Sequence, residues 1–332
     1  MGDPLQKRLD QPFYSRIWRR ACASRRRHPM SHAADQSNVL ATEHLAKTYG
    51  DRAALDGVTV AVPRGRIVGL VGRNGSGKTT LLRSLQGLAA PTAGRAMLFG
   101  VDGLALGEAE LARVGVVHQE NRFVPWMTGR AHLDFTRSFY ARWDAARERR
   151  LVEAFELDLT QRTGTMSPGA VQKLAIVTAV CHRPEAILLD EPAASLDPPS
   201  REALYSTLFE LLREDEPAIM ISSHQLDDIE RSVDWILCLE KGRVVRDEAL
   251  DSLQERYARW RVLPTADASA LPAEFREGWI RSAVIEPRGA LLVVEGADDA
   301  REAFEARHRV TVDAQPLRLS EMFKVWTNGG AR

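Results

Sequence analysis

Three short stretches of the chain hold residues whose types and spacing suit phosphate chemistry. The first is GRNGSGKTT at 72–80. Gly72, Gly75 and Gly77, with Asn74 and Ser76 between them, let backbone N–H groups wrap around phosphate oxygens. Lys78 then reaches the β and γ phosphates, and the hydroxyl of Thr79, followed by Thr80, is offered to Mg²⁺. The second is AILLDEP at 186–192. A strand ending at Asp190 sets a carboxylate beside the phosphate loop, where an acid holds Mg²⁺ through water. A chain turn at the strand end aims Glu191 at the γ-phosphate, to orient and deprotonate an attacking water. The third is His224, which follows the apolar run AIMISS at 218–223, one helix and one strand after the acidic pair.

These residues need elements to position them. IVGLV at 67–71 reads as a buried strand, and 78–88 as a helix with Leu81, Leu82, Leu85 and Leu88 on one face. The phosphate loop therefore lies between a strand and a helix, the context it requires. AILLD at 186–190 and AIMISS add two short apolar strands, each after a helical stretch, which implies a largely parallel sheet covered on both faces. Before them, 39–63 alternates apolar and polar residues around a break at Gly50, Asp51 and Arg52, as antiparallel strands do. Between the first helix and AILLD, 109–178 reads as a mostly helical subdomain.

A hairpin at Lys241 and Gly242 closes this unit near Leu250. Beyond it the pattern gives a helix at 253–260, strands at 281–286 and 290–295, a helix at 298–307, a strand at 309–313 and a last helix at 320–327. The expected fold is α/β, a parallel core sheet with an antiparallel β subdomain and a helical subdomain over 38–250, followed by a small α+β domain over 251–332. Residues 1–37 are expected to be a basic, disordered extension.

Composition narrows the function class. The chain has 332 residues, 44% hydrophobic and 27% charged, with 45 basic against 45 acidic side chains. This is ordinary globular usage, neither collagenous nor low-complexity. Residues 1–29 hold seven Arg and one Lys against two Asp, +6, so residues 30–332 carry −6. An acidic working chain argues against nucleic acid as a partner. Cys22, Cys181 and Cys238 have no metal-ligand spacing, and a reducing compartment is expected. No run approaches the roughly 18 apolar residues of a membrane span, so if the protein serves a membrane, another chain crosses it.

In order, residues 72–80, Gln119, SPGAVQK from Ser167, Asp190 and Glu191, SLD at 195–197 and His224 resemble the motifs of an ATP-binding cassette (ABC) ATPase, over roughly 38–250. The resemblance implies ATP and Mg²⁺ as ligands. It implies that Tyr49 stacks on adenine, that Gln119 touches Mg²⁺ and reports to a membrane partner, and that His224 holds the γ-phosphate and the attacking water. It further implies a homodimer sandwiching ATP, with Ser167, Gly169 and Asp197 of each copy serving the site of the other. One motif departs from the family consensus LSGGQ, since Pro168 and Ala170 stand where Gly and Gln are usual. Ser167 still fits a helix N-cap and Pro168 the first helical position, so the helix keeps its positive end free for an anion.

What the dimer drives is read from the remaining segments. Phe123, Val124, Trp126 and Met127 are too close together for one helix face to bury, which suggests a docking surface and resembles the region of bacterial exporter ATPases that receives a helix of the membrane subunit. The C-terminal piece, ending PLRLSEMFKVWT, resembles the accessory domain of drug and peptide exporter ATPases. The expected function is thus the ATPase of an exporter with a separate transmembrane permease, peripheral on the cytoplasmic face of the cell membrane. The alternative is a soluble, non-transport ABC ATPase acting on a macromolecular complex.

Overall fold

The computed structural model describes residues 38–265, 271–272 and 274–328, so the basic extension expected at 1–37 lies outside the described residues. Fourteen strands form three sheets among those residues. The chain begins with a long hairpin, β1 (Asn38–Tyr49) and β2 (Arg52–Pro63), turning at Gly50. β3 (Ile67–Val71) follows, then the helix Lys78–Leu85. β4 (Ala93–Leu98) and β5 (Val101–Asp102) return to the hairpin and complete an antiparallel sheet of order β2-β1-β4-β5.

The central sheet adds β6 (Val114–Val117), β7 (Ala186–Asp190), β8 (Ala218–Ser222), β9 (Trp235–Glu240) and β10 (Arg243–Ala249). Its order is β10-β9-β3-β8-β7-β6, parallel throughout except for β10, which returns by the hairpin at Lys241 and Gly242. Every residue of β7 and β8 is buried. That explains their unbroken apolar sequences, because a strand covered on both faces has no solvent side to alternate with.

One face carries Leu81, Leu82 and Leu85 of the first helix against Leu40, Leu55 and Val60 of the hairpin. On the other, Ile176 and Val180 of the helix Pro168–Val180 pack with Leu204 and Leu208 of the helix Pro198–Leu212. This α/β arrangement, with its antiparallel and helical subdomains, matches the expected fold class.

The C-terminal sheet comprises β11 (Tyr257–Pro264), β12 (Ile280–Glu286), β13 (Gly289–Glu295) and β14 (Val310–Pro316), in the order β12-β13-β11-β14. Trp260, Leu292, Val312 and, from the helix Arg301–His308, Phe304 form its separate core. The last helix, Leu319–Asn328, leaves that sheet. Its Leu319, Met322 and Trp326 join the apolar cluster that holds the helices Pro168–Val180 and Pro198–Leu212.

Three local expectations are corrected. The first helix stops at Leu85, three residues before Leu88, because Gly87 takes a left-handed φ of +72° and Leu88 points out, 66% exposed. Within 109–178, VGVV at β6 is an edge strand of the core sheet; four residues are too few for periodicity to show it. The helix expected at 253–260 is Leu250–Arg256, and the chain then enters β11, where Tyr257, Trp260 and Val262 are buried by pairing with β13 and β14.

Candidate functional site

The phosphate loop leaves the C-terminal end of β3 and enters the helix Lys78–Leu85. Close packing dictates its glycines. A Cβ on Gly72 would stand 2.5 Å from the carbonyl O of Leu239, and one on Gly77 2.5 Å from that of Ala54, where φ is also +112°. Ser76 N donates to Arg73 O (3.0 Å), closing the loop on itself. Ser76 Oγ is buried with no hydrogen-bond partner among the described residues. The helix has neither a side-chain cap nor an acidic residue in its first turn, so its leading N–H groups and dipole are directed at whatever occupies the loop. Arg73, Asn74 and Gly75 are exposed, and Thr79 and Thr80 half-buried, at the loop's open side.

Lys78 is folded into this loop. Its Nζ donates to Gly72 O (2.8 Å) and Arg73 O (3.5 Å). Burial pushes its ammonium below the ordinary value, and the carboxylates of Glu191 and Asp190 act in the opposite direction. A buried cation resting on two backbone carbonyls exchanges them favourably for anionic oxygens, which make stronger charge-assisted bonds.

The acidic pair ends β7. Parallel pairing sets Asp190 opposite Ser222 of β8. Ser222 Oγ donates to Asp190 Oδ1 (2.7 Å) and accepts from Glu191 N (2.9 Å). Glu191 has φ +50°, a left-handed backbone that a non-glycine residue holds only under local constraint. The kink turns its side chain towards His224, whose Nδ1 lies 2.6 Å from Glu191 Oε2. Gln225 Nε2 approaches His224 Nε2 at 3.4 Å, so a proton on Nδ1 satisfies both contacts. A pocket of 280 Å³ opens among Gly72, Arg73, Asn74, Ser223, His224, Leu226 and Phe323.

The other sequence-derived residues flank this centre at different distances. Tyr49, 52% exposed at the end of β1, has Lys47 Nζ 5.0 Å from its ring centroid. Arg52 Nη2 donates to Gly75 O (3.3 Å) and ties the hairpin that carries Tyr49 to the loop. Gln119 is exposed two residues beyond Val117 of β6, which pairs with Leu189, the neighbour of Asp190 in β7. Asn121 connects that segment to the helix Pro168–Val180 by bonds to His118 O (2.6 Å) and Gln172 Oε1 (2.8 Å).

Ser167 caps that helix, its Oγ accepting from Ala170 N (3.2 Å), with Pro168 at the first helical position. A Cβ on Gly169 would lie 2.9 Å from Leu196 Cδ2, so this helix start packs on the turn that leads to Asp197. Asp197 caps the next helix through Ser200 N (2.8 Å), and its hydrogen bonds with Ser200 hold its carboxyl below the usual range. None of Ser167, Gly169 and Asp197 lines the pocket at the phosphate loop. Gly169 and Leu196 bring their two helix starts together.

Sequence reasoning missed Ser222, Arg52, Thr327 and Phe323. The partnership of Ser222 with Asp190 depends on the register of two strands about thirty residues apart in sequence, and that of Arg73 with Thr327 (3.4 Å) joins residues 254 apart. The expected docking stretch divides. Phe123 is half-buried against His132 (ring centroids 4.7 Å apart), and Trp126 is 73% exposed.

Residues 55–194 match the family described as ABC transporter. The chain is 32% identical to the bacitracin transport ATP-binding protein BcrA of Enterococcus faecalis over 69% of this chain and 75% of that protein. It is 35% identical to the phosphonates import ATP-binding protein PhnC of Chromohalobacter salexigens, over 65% of this chain and 86% of that one. Among solved structures, an ATP-binding subunit of an ABC transporter superposes with TM-score 0.59 at 29% identity, covering 65% of this chain and 92% of that one. The dimeric MJ0796 cassette in a post-hydrolysis state bound to ADP and Pi superposes with TM-score 0.57 at 25% identity, covering 64% and 98%.

Proposed function

Because this chain belongs to the ABC transporter family, we propose that it binds and hydrolyses ATP as the cytoplasmic motor subunit of an exporter, closing as a head-to-tail homodimer on a separate membrane permease. The observation that carries the ATPase reading is the convergence of Lys78, the adjacent pair Asp190 and Glu191, and His224 from three separate segments at one end of the central sheet. Ligand sites in open parallel sheets lie at that end, beyond the strand carboxyl termini.

Each residue has a part in the reaction. Backbone N–H groups of residues 72–80 and the helix dipole hold the β and γ phosphates, and Lys78 exchanges its two carbonyl partners for their oxygens. Glu191 Oε2 is engaged by His224, which leaves Oε1 to accept a proton from water as the water oxygen bonds to the γ-phosphorus and the bond to the bridging β–γ oxygen breaks. His224 orients Glu191 in this state and meets the γ-phosphate from the pocket it shares with Gly72 and Asn74. Tyr49 supplies the ring for adenine.

The donors suit Mg²⁺. Among the described residues no group of three or more His, Cys, Asp or Glu forms a metal cage, and Mg²⁺ at nucleotide sites takes one or two protein oxygens with phosphates and water. Thr79, Asp190 and Gln119 are the oxygen donors at hand, and the ion would neutralise phosphate charge there.

The dimer reading is supported by the dimeric MJ0796 cassette among the similar structures and by the grouping of Ser167, Gly169 and Asp197 at two capped helix starts, which a second copy would present to the loop. The relatives point to both transport directions, with an importer of phosphonates beside the bacitracin transport protein. Export is favoured here by the appended sheet 257–316 and by exposed Trp126 as a contact for the permease. Among the described residues no helix is long and apolar enough to cross a membrane, and the separate permease would supply the spanning segments. Purification from membranes tests the assignment: a stoichiometric polytopic partner is the expected result, and ribosomes or DNA in its place would reject it.

A further inference from the structure

The last helix, Leu319–Asn328, reaches the phosphate loop within the same chain. One side is sunk in the core, where Leu319, Met322 and Trp326 share a cluster with Leu226 and Ile229, the residues just after His224. Polar contacts fix it further. Leu319 N donates to Glu230 Oε1 (3.1 Å), Arg259 Nη1 pairs with Glu321 Oε1 (3.0 Å), and Trp326 Nε1 donates to Tyr257 OH (3.3 Å). Anchored at both ends, the helix presents Phe323 and Thr327, one turn apart, to the site. Phe323 lines the pocket with Gly72, Arg73, Asn74 and His224.

Thr327 is the polar half of this contact. Its Oγ1 donates to Phe323 O (2.9 Å), which spends its proton within the helix and leaves an oxygen lone pair for Arg73 Nη2 at 3.4 Å. Arg73 in turn has the carbonyl that accepts both Ser76 N and Lys78 Nζ. The route from the C-terminal helix to the phosphate-binding lysine is thus one side chain and one peptide long.

On the reading of residues 72–80 as the nucleotide site, we infer that Thr327 is a positioning residue for ATP binding. By holding Arg73 it keeps the loop in its phosphate-ready shape before nucleotide arrives. Loss of such preorganisation is felt when ligand binds and not in the chemical step. The appended domain therefore contributes to the ATP site of its own chain.

The test uses the purified full chain with Mg-ATP and a fluorescent ATP analogue. Thr327→Val keeps the shape and removes the oxygen; it is expected to raise both KM for ATP and the analogue's Kd about fivefold, the scale of one lost hydrogen bond, with kcat within about twofold. Thr327→Ser restores the oxygen and is expected to recover wild-type values. A Thr327→Val protein with unchanged KM and Kd overturns the inference, as does a Thr327→Ser protein as weak as Thr327→Val. If wild-type protein neither binds nor hydrolyses ATP, the nucleotide site itself is misread and the inference falls with it.

Discussion

Glu191 Oε2 and His224 Nδ1 lie 2.6 Å apart, joining the residue after β7 to the one that follows β8 and Ser223. The contact exists because Glu191 adopts φ +50°, which swings its carboxylate off the strand direction. The proposed base is therefore held by its neighbour within the chain. Glu191→Gln keeps the side-chain shape and removes the proton acceptor. Hydrolysis should fall by about 10²–10⁴-fold, the usual worth of a general base. ATP binding should persist, and size-exclusion with Mg-ATP should show a dimer; a variant that remains monomeric there would contradict the sandwich.

Lys78 tests the phosphate loop directly. In Lys78→Ala the buried cation that faces Asp190 and Glu191 is gone. Loss of kcat/KM by at least about a hundredfold is expected, together with weaker nucleotide binding, because electrostatic stabilisation dominates phosphoryl transfer. Steady-state phosphate release and analogue titration measure the two effects.

Ser222 supports the acidic pair from beneath. It is fully buried, donating to Asp190 and accepting from Glu191 N. Ser222→Ala strands a buried N–H and removes a donor from a buried carboxylate, costing about 1–3 kcal/mol of stability. Urea unfolding should show that loss, and ATP turnover should drop along with it. Full activity at wild-type stability would mean that the two bonds position nothing.

His182 gives a pH dependence remote from the site. Burial pushes its imidazole from 6.5 down to about 4, and the ring stacks on Tyr140 at 4.1 Å. The unfolded chain takes up the proton first, so the stability that this residue contributes is complete above pH 6.5 and is lost as pH falls towards 4. The loss over that window should approach about 3 kcal/mol. His182→Phe retains the stacking and should flatten this part of the pH curve, as denaturation midpoints between pH 7 and 4.5 will report.

Much of this was legible in the chain itself. The apolar runs IVGLV, AILLD and AIMIS announced buried strands because strands covered on both faces must be apolar throughout. Lys78, Asp190, Glu191 and His224 could be named because their chemistry depends on residue type and on local strand-to-loop transitions. β6 and β11 escaped notice. Four residues of VGVV carry no period, and Tyr257–Pro264 continues a helical segment whose change to strand depends on β13 and β14 being alongside.

The sequence alone determined which residue types suited to phosphate chemistry stand at the loop and strand ends, since glycine spacing, a lysine and carboxylates at strand ends are properties of short segments. Tertiary structure alone decided who holds those atoms in place. Ser222 meets Asp190 only through strand register, and Thr327 meets Arg73 only because a helix more than two hundred residues downstream buries Leu319, Met322 and Trp326 beside the site. Contacts between residues far apart in sequence are set by packing of the whole chain, and no local pattern encodes them.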